Sequence, residues 1–549
     1  MGCFDSLTST DKLMSKNLLL LLALFSCFQL ARAQSLSSFG NSNLPLVVIN
    51  TSGQSIPDDP KIEAQMGIIW NGQGNMNAVT DDFNDYNGVI GIEVRGSTSQ
   101  MFPKKSYGLE LHDAAGEDVS ASILGMPEEE DWILYAPYSD KTLIRNVLTM
   151  TLDASLGHYS PRCRFVELFL NNQYQGVYVM MEKIKRDKNR VDLSKLKEDD
   201  LTGEDLTGGY LLKIDKTTGS GGSGWTSAYL NSAYKRTFFQ YEYPKPEDIQ
   251  PAQKSYIQNY MNLLEKSLDE NNFDGENGFR QLADEASFID FFIINELTKN
   301  VDGYRLSTFL YKDKNEKVTL GPIWDFNLAY GNADYYNGVA TSGFQFEADL
   351  QQDDWQVPFW WEILFDNNEF RAQLKERWSD LRAQALSDDR IDLVVDSLTT
   401  LLADAQTRNF AKWPVLDEYV WPNAYVGYSY AAEISWIDEW IDKRMSWLDT
   451  KIEDLYVGFE DLTQLAEVSV YPNPFKSELH IQLKGATSGN LNFAIYNLQG
   501  TKLLVKQLEP GSNDVLVTDA QMERLPAGIY LVRITRNDQP IYSVKIVKQ

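Results

Sequence analysis

Two aspartates enclose a short predicted β-hairpin, and this arrangement constrains the fold more than any other feature of the sequence. Asp302 precedes a predicted strand at Thr308–Tyr311, and Asp325 follows a second strand that begins after a polar turn. Antiparallel strands joined by a short turn bring the start of the first and the end of the second to one edge. We therefore expect both carboxylates at one end of the hairpin, where they suit a divalent cation and a phosphate. The alternative is that each aspartate only caps a turn, which is the commoner role of isolated aspartates.

The rest of the chain divides by its hydrophobic pattern. Short alternating apolar runs predict strands over residues 46–247, and apolar residues at helical spacing predict helices over residues 248–455. Residues 34–45 form a Ser/Asn-rich linker, and residues 467–549 return to short strands with glycine-containing turns. The order predicts an α+β body followed by a small C-terminal β-sandwich.

The order of acid, hairpin and Trp324-Asp325-Phe326 resembles the spore-coat-protein-H (CotH) kinases, an atypical branch of the protein kinases. The segments LIRN, at residues 143–146, and LFLNNQYQGVYVMMEKI, at residues 168–184, match further signatures of that family. The resemblance implies a two-lobed, atypical protein-kinase-like body over residues 46–455. Its β-rich part would be residues 46–247 and its helical part residues 248–455.

The resemblance also implies roles for the two acids. Asp302 corresponds to the catalytic acid/base, and Asp325 corresponds to the metal-binding acid of Asp-Phe-Gly in protein kinases. The sequence departs from the family at two places. Many members carry an Asn in the first strand where this chain has Ser307-Thr308, and a second Asp where this chain has Asn327. Both side chains still offer an oxygen to a metal, but with less charge. The implied cofactors are ATP and Mg²⁺ or Mn²⁺.

A polar segment between two predicted strands resembles the part of the family that replaces the kinase glycine-rich loop. It begins at Arg95 and Ser97 and ends at Lys104 and Lys105. Hydroxyls, backbone N–H groups and a lysine at a hairpin tip suit phosphate oxygens. Strand alternation places Lys105 on the face of the following apolar residues, so we prefer it to Lys104 as the inward-pointing lysine. The alternative is a solvated hairpin tip.

Three further residues are implied as parts of a nucleotide site. Arg145, in a predicted helix, either reaches phosphate or an acid of the site, or forms a structural ion pair. Glu182 and Lys183 fall near the nucleotide hinge of the family. The tryptophan pairs 360/361 and 436/440 raise a separate possibility, a glycan-binding face, but their helical spacing favours core positions.

Both ends of the sequence indicate export. Residues 1–33 predict a secretory signal peptide, because two lysines precede an apolar run that ends in Ala31-Arg32-Ala33. That run is too short to span a bilayer, so the sequence predicts no transmembrane segment. The motifs YPNP, YNLQG and LPAGIYLVRI of the tail resemble the C-terminal sorting domain of the type IX secretion system. This resemblance implies the type IX machinery as a partner, and a secreted or surface-attached protein of a Bacteroidetes-type cell.

The net charge of −28 argues against nucleic acid and anionic membranes as partners. It also repels nucleotides, so any phosphate site needs local cations or a bridging metal. Two functions follow from the resemblance. One is a secreted kinase that transfers the ATP γ-phosphoryl group to Ser or Thr of an unknown exported or surface protein. The other is a catalytically weak or inactive surface or scaffold-binding module, which the departures at Ser307 and Asn327 favour.

Overall fold

The computed structural model describes residues 35–217, 222–455, 467–484, 491–497, 502–508, 514–518, 520–536 and 539–549. The predicted signal peptide at residues 1–33 lies outside these ranges. Among the helices within them, none is both long and apolar enough to cross a membrane.

The strands of the body fall into a closed barrel, a five-stranded sheet and two short hairpin-like pairs. In chain order they are β1 Asn41–Ser42, β2 Leu46–Asn50, β3 Ile62–Ile69, β4 Asn77–Ala78, β5 Tyr86–Arg95, β6 Ser106–His112, β7 Ala121–Ile123, β8 Met126–Glu129, β9 Asp131–Tyr135, β10 Cys163–Leu170, β11 Gln173–Glu182, β12 Tyr210–Ile214, β13 Gly224–Thr226, β14 Phe238–Tyr243, β15 Thr308–Lys312 and β16 Val318–Leu320.

The helices lie mostly in the second half of the body. In chain order they are α1 Leu36–Phe39, α2 Arg145–Ala154, α3 Pro251–Asp269, α4 Phe279–Leu282, α5 Glu285–Thr298, α6 Trp360–Asp366, α7 Asn368–Arg382, α8 Asp388–Leu401, α9 Ala405–Lys412, α10 Tyr430–Glu453 and, in the tail, α11 Ala520–Arg524.

Seven strands form the barrel, in the order β10-β11-β9-β6-β5-β3-β2. The parallel pairing of β10 with β2 closes it, with Leu168 opposite Val47. Apolar side chains that alternate along the strands fill the interior, among them Ile90, Leu109 and Trp132, each at most 1% exposed. The barrel is therefore a packed core that presents its strand ends and connections to other parts of the molecule.

The second sheet has the order β13-β14-β12-β15-β16. Strand β12 pairs antiparallel with β15, with Ile214 opposite Thr308. Strand β15 pairs with β16, with Leu310 opposite Leu320. This sheet carries the predicted hairpin, and β12 is its neighbour on the other side.

The predicted two-lobed, kinase-like arrangement is wrong. The predicted boundary between residues 247 and 248 cuts through the five-stranded sheet, because β12–β14 precede it and β15–β16 follow it. Both sides of the boundary belong to one compact unit that extends to Ile452, apart from residues 365–375. The body is β-rich around a closed barrel, and its helices are a minority. Local patterns show where strands lie but not which strands pair, and the pairing of β12 with β15 joins the two halves.

The tail contains two antiparallel sheets that share one hydrophobic core, so the predicted C-terminal β-sandwich is confirmed. One sheet has the order β17-β18-β21 and the other β20-β19-β22-β23. Their shared core includes Ile481 from the first and Phe493 from the second, both fully buried. The strands are β17 Glu467–Tyr471, β18 Glu478–Lys484, β19 Leu491–Tyr496, β20 Lys502–Leu508, β21 Asp514–Thr518, β22 Gly528–Arg536 and β23 Gln539–Lys548.

Candidate functional site

Three aspartates follow one edge of the five-stranded sheet. Asp215 comes directly after β12, whose last residue pairs with the first residue of β15. Asp302 lies in the turn that leads into β15. Asp325 lies in the loop after β16, and the Gly321 N–H that begins this loop donates to the Phe309 carbonyl at 2.8 Å. The strand register thus places the three acids, which we call the edge acids, at the same end of the sheet.

The charges of the edge acids act on one another. Burial, followed by the negative charges of Asp302 and Asp215, raises the pKa of Asp325 to about 6. The nearby Arg95 and Lys216 oppose this shift. The Asp325 side chain remains exposed to solvent. A carboxylate that solvent reaches, yet whose charge is poorly solvated because protein surrounds it, is characteristic of a cleft.

Asp302 is the more protected of the two predicted acids, with a side chain 25% exposed. Its Oδ1 accepts a hydrogen bond from Arg305 Nη2 at 2.7 Å. Burial raises the pKa of Asp302, while Arg305 and Lys216 lower it. Arg305 is itself held by Asp353 at 2.9 Å. The Arg305 guanidinium therefore fixes one oxygen of the Asp302 carboxylate and sets the orientation of the group.

Two cations face the same edge from separate parts of the chain. Arg95 ends the barrel strand β5, and its guanidinium lies over the Trp324 ring at 5.7 Å. Burial lowers the pKa of Arg95, and the charge of Asp325 opposes that shift. Lys216 follows Asp215, and its Nζ lies 3.5 Å from the Thr98 hydroxyl. The end of β5 and the polar segment after it thus approach this edge of the sheet, with Arg95 over Trp324 and Thr98 beside Lys216.

The backbone at Asp325 adopts an unusual conformation. Its φ of +67° lies in the left-handed region, which is costly for a residue other than glycine. The Asp325 carbonyl accepts from Asn300 Nδ2 at 3.2 Å. The next N–H, of Phe326, donates to Asn146 Oδ1 at 2.6 Å. Side chains on both sides of Asp325 therefore hold the conformation that presents its carboxylate.

Sequence analysis left two roles open for Arg145, a contact within the site or a structural ion pair, and the structure places it in an ion pair. It is 1% exposed. Its Nη1 donates to Asp140 Oδ1 at 2.6 Å, and its Nε donates to the Ala329 carbonyl at 3.1 Å. Through the Ala329 carbonyl, it holds the loop that follows Asp325.

The two adjacent lysines lie in different surroundings. Lys104 is 2% exposed, and its Nζ donates to the Val177 carbonyl and to Asn409 Oδ1 at 2.6 and 2.9 Å. Burial holds the pKa of Lys104 well below its usual range. The Lys105 ammonium donates to the Gln100 carbonyl, within the polar segment itself. The structure therefore buries Lys104 and keeps Lys105 at the base of the segment.

Glu182 and Lys183 belong to ion pairs at an end of the barrel. Glu182 is fully buried and accepts from Arg162 Nη1 at 2.7 Å. Lys183 Nζ lies 3.2 Å from Asp131 Oδ1. Asp131 also pairs with Lys185 at 2.8 Å, and these lysines lower the pKa of Asp131 to about 2. These contacts connect the barrel strands β9 and β11 with the segment that follows β11.

The other predicted residues lie around the edge acids. Ser307 directly precedes β15 with a φ of +48° and is next to the position that pairs with Ile214. The Asn327 carbonyl accepts from Asn332 Nδ2 at 2.8 Å, which fixes the loop two residues after Asp325. Ser97 is exposed at the start of the turn that contains Thr98.

Sequence analysis did not select Asp215, Lys216 or Asn146. Asp215 carried a usable signal, because it is an acid at the end of a strand-like apolar run. What the sequence does not show is that β12 lies beside β15. Asn146 belongs to the LIRN segment that resembles the family, but this resemblance gives no indication of a contact with residue 326.

The donor types at this edge fit a divalent cation bound with a phosphate. Carboxylate oxygens are the preferred ligands of Mg²⁺. Burial first, and then the neighbouring acids, raise the pKa values of Asp325 and Asp302, and a bound cation would favour their charged forms. Among the described residues, the acid and histidine triplets with ligand atoms within 4.8 Å of one another lie elsewhere. In one of them, at residues 129–131, Lys185 already pairs with all three acids.

Comparison with known families identifies two regions. Residues 92–448 match the family described as CotH kinase protein. Residues 469–549 match the secretion system C-terminal sorting domain, which directs proteins through type IX secretion to the cell surface or the extracellular space. This match confirms the type IX export that the motifs of the tail predicted.

Individual relatives cover only short parts of the chain. The inner spore coat protein H of Bacillus subtilis (strain 168) is 32% identical over 95 residues, which is 17% of this chain and 24% of that protein. The ulvan lyase NLR42 of Nonlabens ulvanivorans is 28% identical over 107 residues, 20% of this chain and 18% of the lyase. Each match therefore spans about a quarter or less of the relative.

One solved structure, of a Pseudomonas fluorescens alkylpurine DNA glycosylase bound to DNA with an abasic site analog, was also compared. It is 14% identical, covers 36% of this chain and 55% of the glycosylase chain, and has a TM-score of 0.11. A score this low carries no argument about the fold.

Proposed function

Because the chain belongs to the CotH kinase protein family, we propose that it is a secreted phosphotransferase. It moves the γ-phosphoryl group of ATP to a Ser or Thr hydroxyl of an exported or surface protein. The observation that carries this proposal is the convergence of Asp215, Asp302 and Asp325 with Arg95 and Lys216 at one solvent-accessible edge. Acids suit the metal, and cations suit the phosphates, in a protein whose overall charge would otherwise repel a nucleotide.

Each residue has a separate task in this proposal. Asp325, with Asp215 beside it, would hold Mg²⁺ or Mn²⁺, and the bound ion would neutralise charge on the phosphates. Arg95 and Lys216 would bind phosphate oxygens. Asp302 would orient the acceptor hydroxyl and take its proton as the oxygen attacks the γ-phosphorus and the bond to ADP breaks. Arg305 would keep the Asp302 carboxylate in one orientation through their 2.7 Å contact.

The test uses the full-length protein with radiolabelled ATP and Mg²⁺ or Mn²⁺. The parent should label itself or an added protein. The Asp325→Asn variant should lose metal-dependent nucleotide binding. The Asp302→Asn variant should bind ATP–Mg²⁺ much as the parent does but turn over about 10²–10⁴-fold more slowly, since proton transfer matters only in the transition state.

Asp313→Asn is the matched control. Asp313 lies at the opposite end of the same hairpin, where it accepts from the Ser194 N–H at 3.0 Å. This variant should bind and turn over as the parent does. Equal ATP–Mg²⁺ affinity of Asp325→Asn and the parent would exclude the proposed metal site.

A second candidate is a nucleotide-binding or scaffold module without turnover. It is favoured by the chemistry of two positions. Asn327 lacks the negative charge of the Asp that many family members carry there, and Ser307 offers a hydroxyl where many members offer the amide oxygen of an Asn. Metal-dependent ATP binding by the parent, with no phosphate transfer to itself or to added exported proteins, would establish this candidate instead.

A further inference from the structure

Three side chains of helix α2 form hydrogen bonds with the loop that carries Asp325. The contacts come from one face of the helix and involve a backbone N–H, a backbone carbonyl and a phenol. They are Asn146 Oδ1 with the Phe326 N–H at 2.6 Å, Arg145 Nε with the Ala329 carbonyl at 3.1 Å, and the Thr149 hydroxyl with the Tyr330 phenol at 3.1 Å.

Asn146 makes the contact nearest to the carboxylate. It is 4% exposed, so water does not replace it. The Phe326 N–H that Asn146 accepts directly follows Asp325, whose φ of +67° lies in the left-handed region. If Asp325 relaxed to an ordinary conformation, this peptide would rotate and the buried hydrogen bond would be lost.

Asn146 also lies near the barrel. Burial, followed by the negative charges of Asp140 and Asp325, raises the pKa of the Tyr135 phenol, and the neighbouring Asn146 amide opposes this shift. Tyr135 is the last residue of β9. The asparagine that accepts the Phe326 N–H is therefore close to the end of a barrel strand.

We propose that Asn146 is a positioning residue for Asp325: it selects the backbone conformation that directs the carboxylate towards the metal and the phosphates. This proposal rests on the proposed function, because it assigns a cause to the geometry of the same site. Asn146 touches neither substrate nor metal. Its loss should therefore weaken the metal response by misplacing Asp325, without removing a ligand.

The test measures backbone protection and metal response separately in the full-length protein. In Asn146→Ala, hydrogen–deuterium exchange should increase in peptides that contain Phe326, and the Mn²⁺ concentration for half-maximal ATP binding should rise about tenfold. Asn146→Asp keeps an oxygen acceptor for the Phe326 N–H. It should retain the protection, but its added negative charge should raise the pH at which metal-dependent binding is half-maximal.

Asn409→Ala is the matched control. Asn409 is 2% exposed, and its Oδ1 accepts from the Val177 N–H at 3.1 Å and from Lys104 Nζ at 2.9 Å. The variant thus also loses a buried asparagine acceptor of a backbone N–H, but one that does not contact the loop of Asp325. Its exchange near Phe326 and its Mn²⁺ response should equal those of the parent. A parental Mn²⁺ response in Asn146→Ala, or unchanged exchange near Phe326, would overturn the proposal. Absence of phosphate transfer in the parent bears only on the proposed function, because binding and exchange are measured without turnover.

Discussion

Asp325 destabilises the folded protein when it is ionised. Its pKa is raised to about 6 in the fold, mainly by burial and by Asp302, whereas an aspartate in an unfolded chain titrates near 4. The unfolded chain therefore loses its proton first as the pH rises, and the penalty on folding grows between pH of about 4 and about 6. Below this range the residue is protonated in both states and the penalty disappears.

We therefore predict that Asp325→Asn raises the melting temperature at pH 8 but not at pH 3.5. The amide cannot ionise, so the repulsion from Asp302 and Asp215 is absent at every pH. Thermal melts in metal-free buffer check this, and Asp313→Asn should show no comparable gain at pH 8. A lower melting temperature of Asp325→Asn at pH 8 would mean that the carboxylate is stabilised by its surroundings.

Lys104 and Lys105 show where the alternation of side-chain direction along a strand stops being a guide for single residues. Alternation along β6 was correct for Leu109 and Leu111, which are at most 1% exposed. It did not extend to Lys104 and Lys105, because β6 begins only at Ser106. Outside a strand, side-chain direction depends on local turns that the hydrophobic pattern does not describe.

Among the helices, a buried ion pair fixes the end of α5 that leads to Asp302. Arg444 of α10 is fully buried and contacts Glu296 Oε2 at 2.9 Å. Glu296 also accepts from the Gln345 and Phe346 N–H groups at 2.7 and 3.0 Å. Arg444 in turn donates to the Glu296 carbonyl at 2.7 Å. The pair thus joins α5, α10 and the loop before α6.

We predict that Arg444→Met lowers the free energy of unfolding by about 3–5 kcal/mol, because it leaves the Glu296 carboxylate buried without its partner. The double variant Glu296→Gln, Arg444→Met should recover a large part of this loss. Urea unfolding at pH 7.5 measures both. Additive losses in the double variant would show that the two side chains do not depend on each other.

At the scale of elements, the sequence predicted the hairpin but not its neighbour. Two apolar runs, a polar turn and two flanking acids were enough to place β15, β16 and the common edge of Asp302 and Asp325. The pairing of β12 with β15 has no local signature, because it joins residues separated by three helices. The same limit applies to the barrel, which closes through the parallel pairing of β2 with β10. Asp215 was missed for this reason.

At the scale of the whole molecule, the tail has a hydrophobic core of its own. The core members all lie between residues 468 and 546. Phe493 is fully buried in it, whereas Val505 of the neighbouring strand is 54% exposed. The edge acids belong to the other compact unit.

We predict that Phe493→Ala destabilises the tail by about 3–5 kcal/mol and leaves ATP–Mg²⁺ binding unchanged. Calorimetry of the full-length protein should show one transition at a lower temperature and another at its parental position. Val505→Ala, which removes an exposed side chain from the same sandwich, should leave both transitions in place. Loss of nucleotide binding in Phe493→Ala would show that the tail core supports the site.

The hydrogen bond between Asn146 and Phe326 joins residues 180 positions apart in the chain. The pairing of Ile214 with Thr308 is also long-range, at about half that separation in sequence. Contacts that close long stretches of chain form slowly, since the entropy of closure is lost before the contact contributes. The position of Asp325 depends on both of these long-range contacts. A chain that has formed its helices and hairpins but not these contacts therefore lacks the geometry of the site. The arrangement of the edge acids is therefore completed late in folding, and the nucleotide chemistry proposed for it would be absent from a partly folded chain.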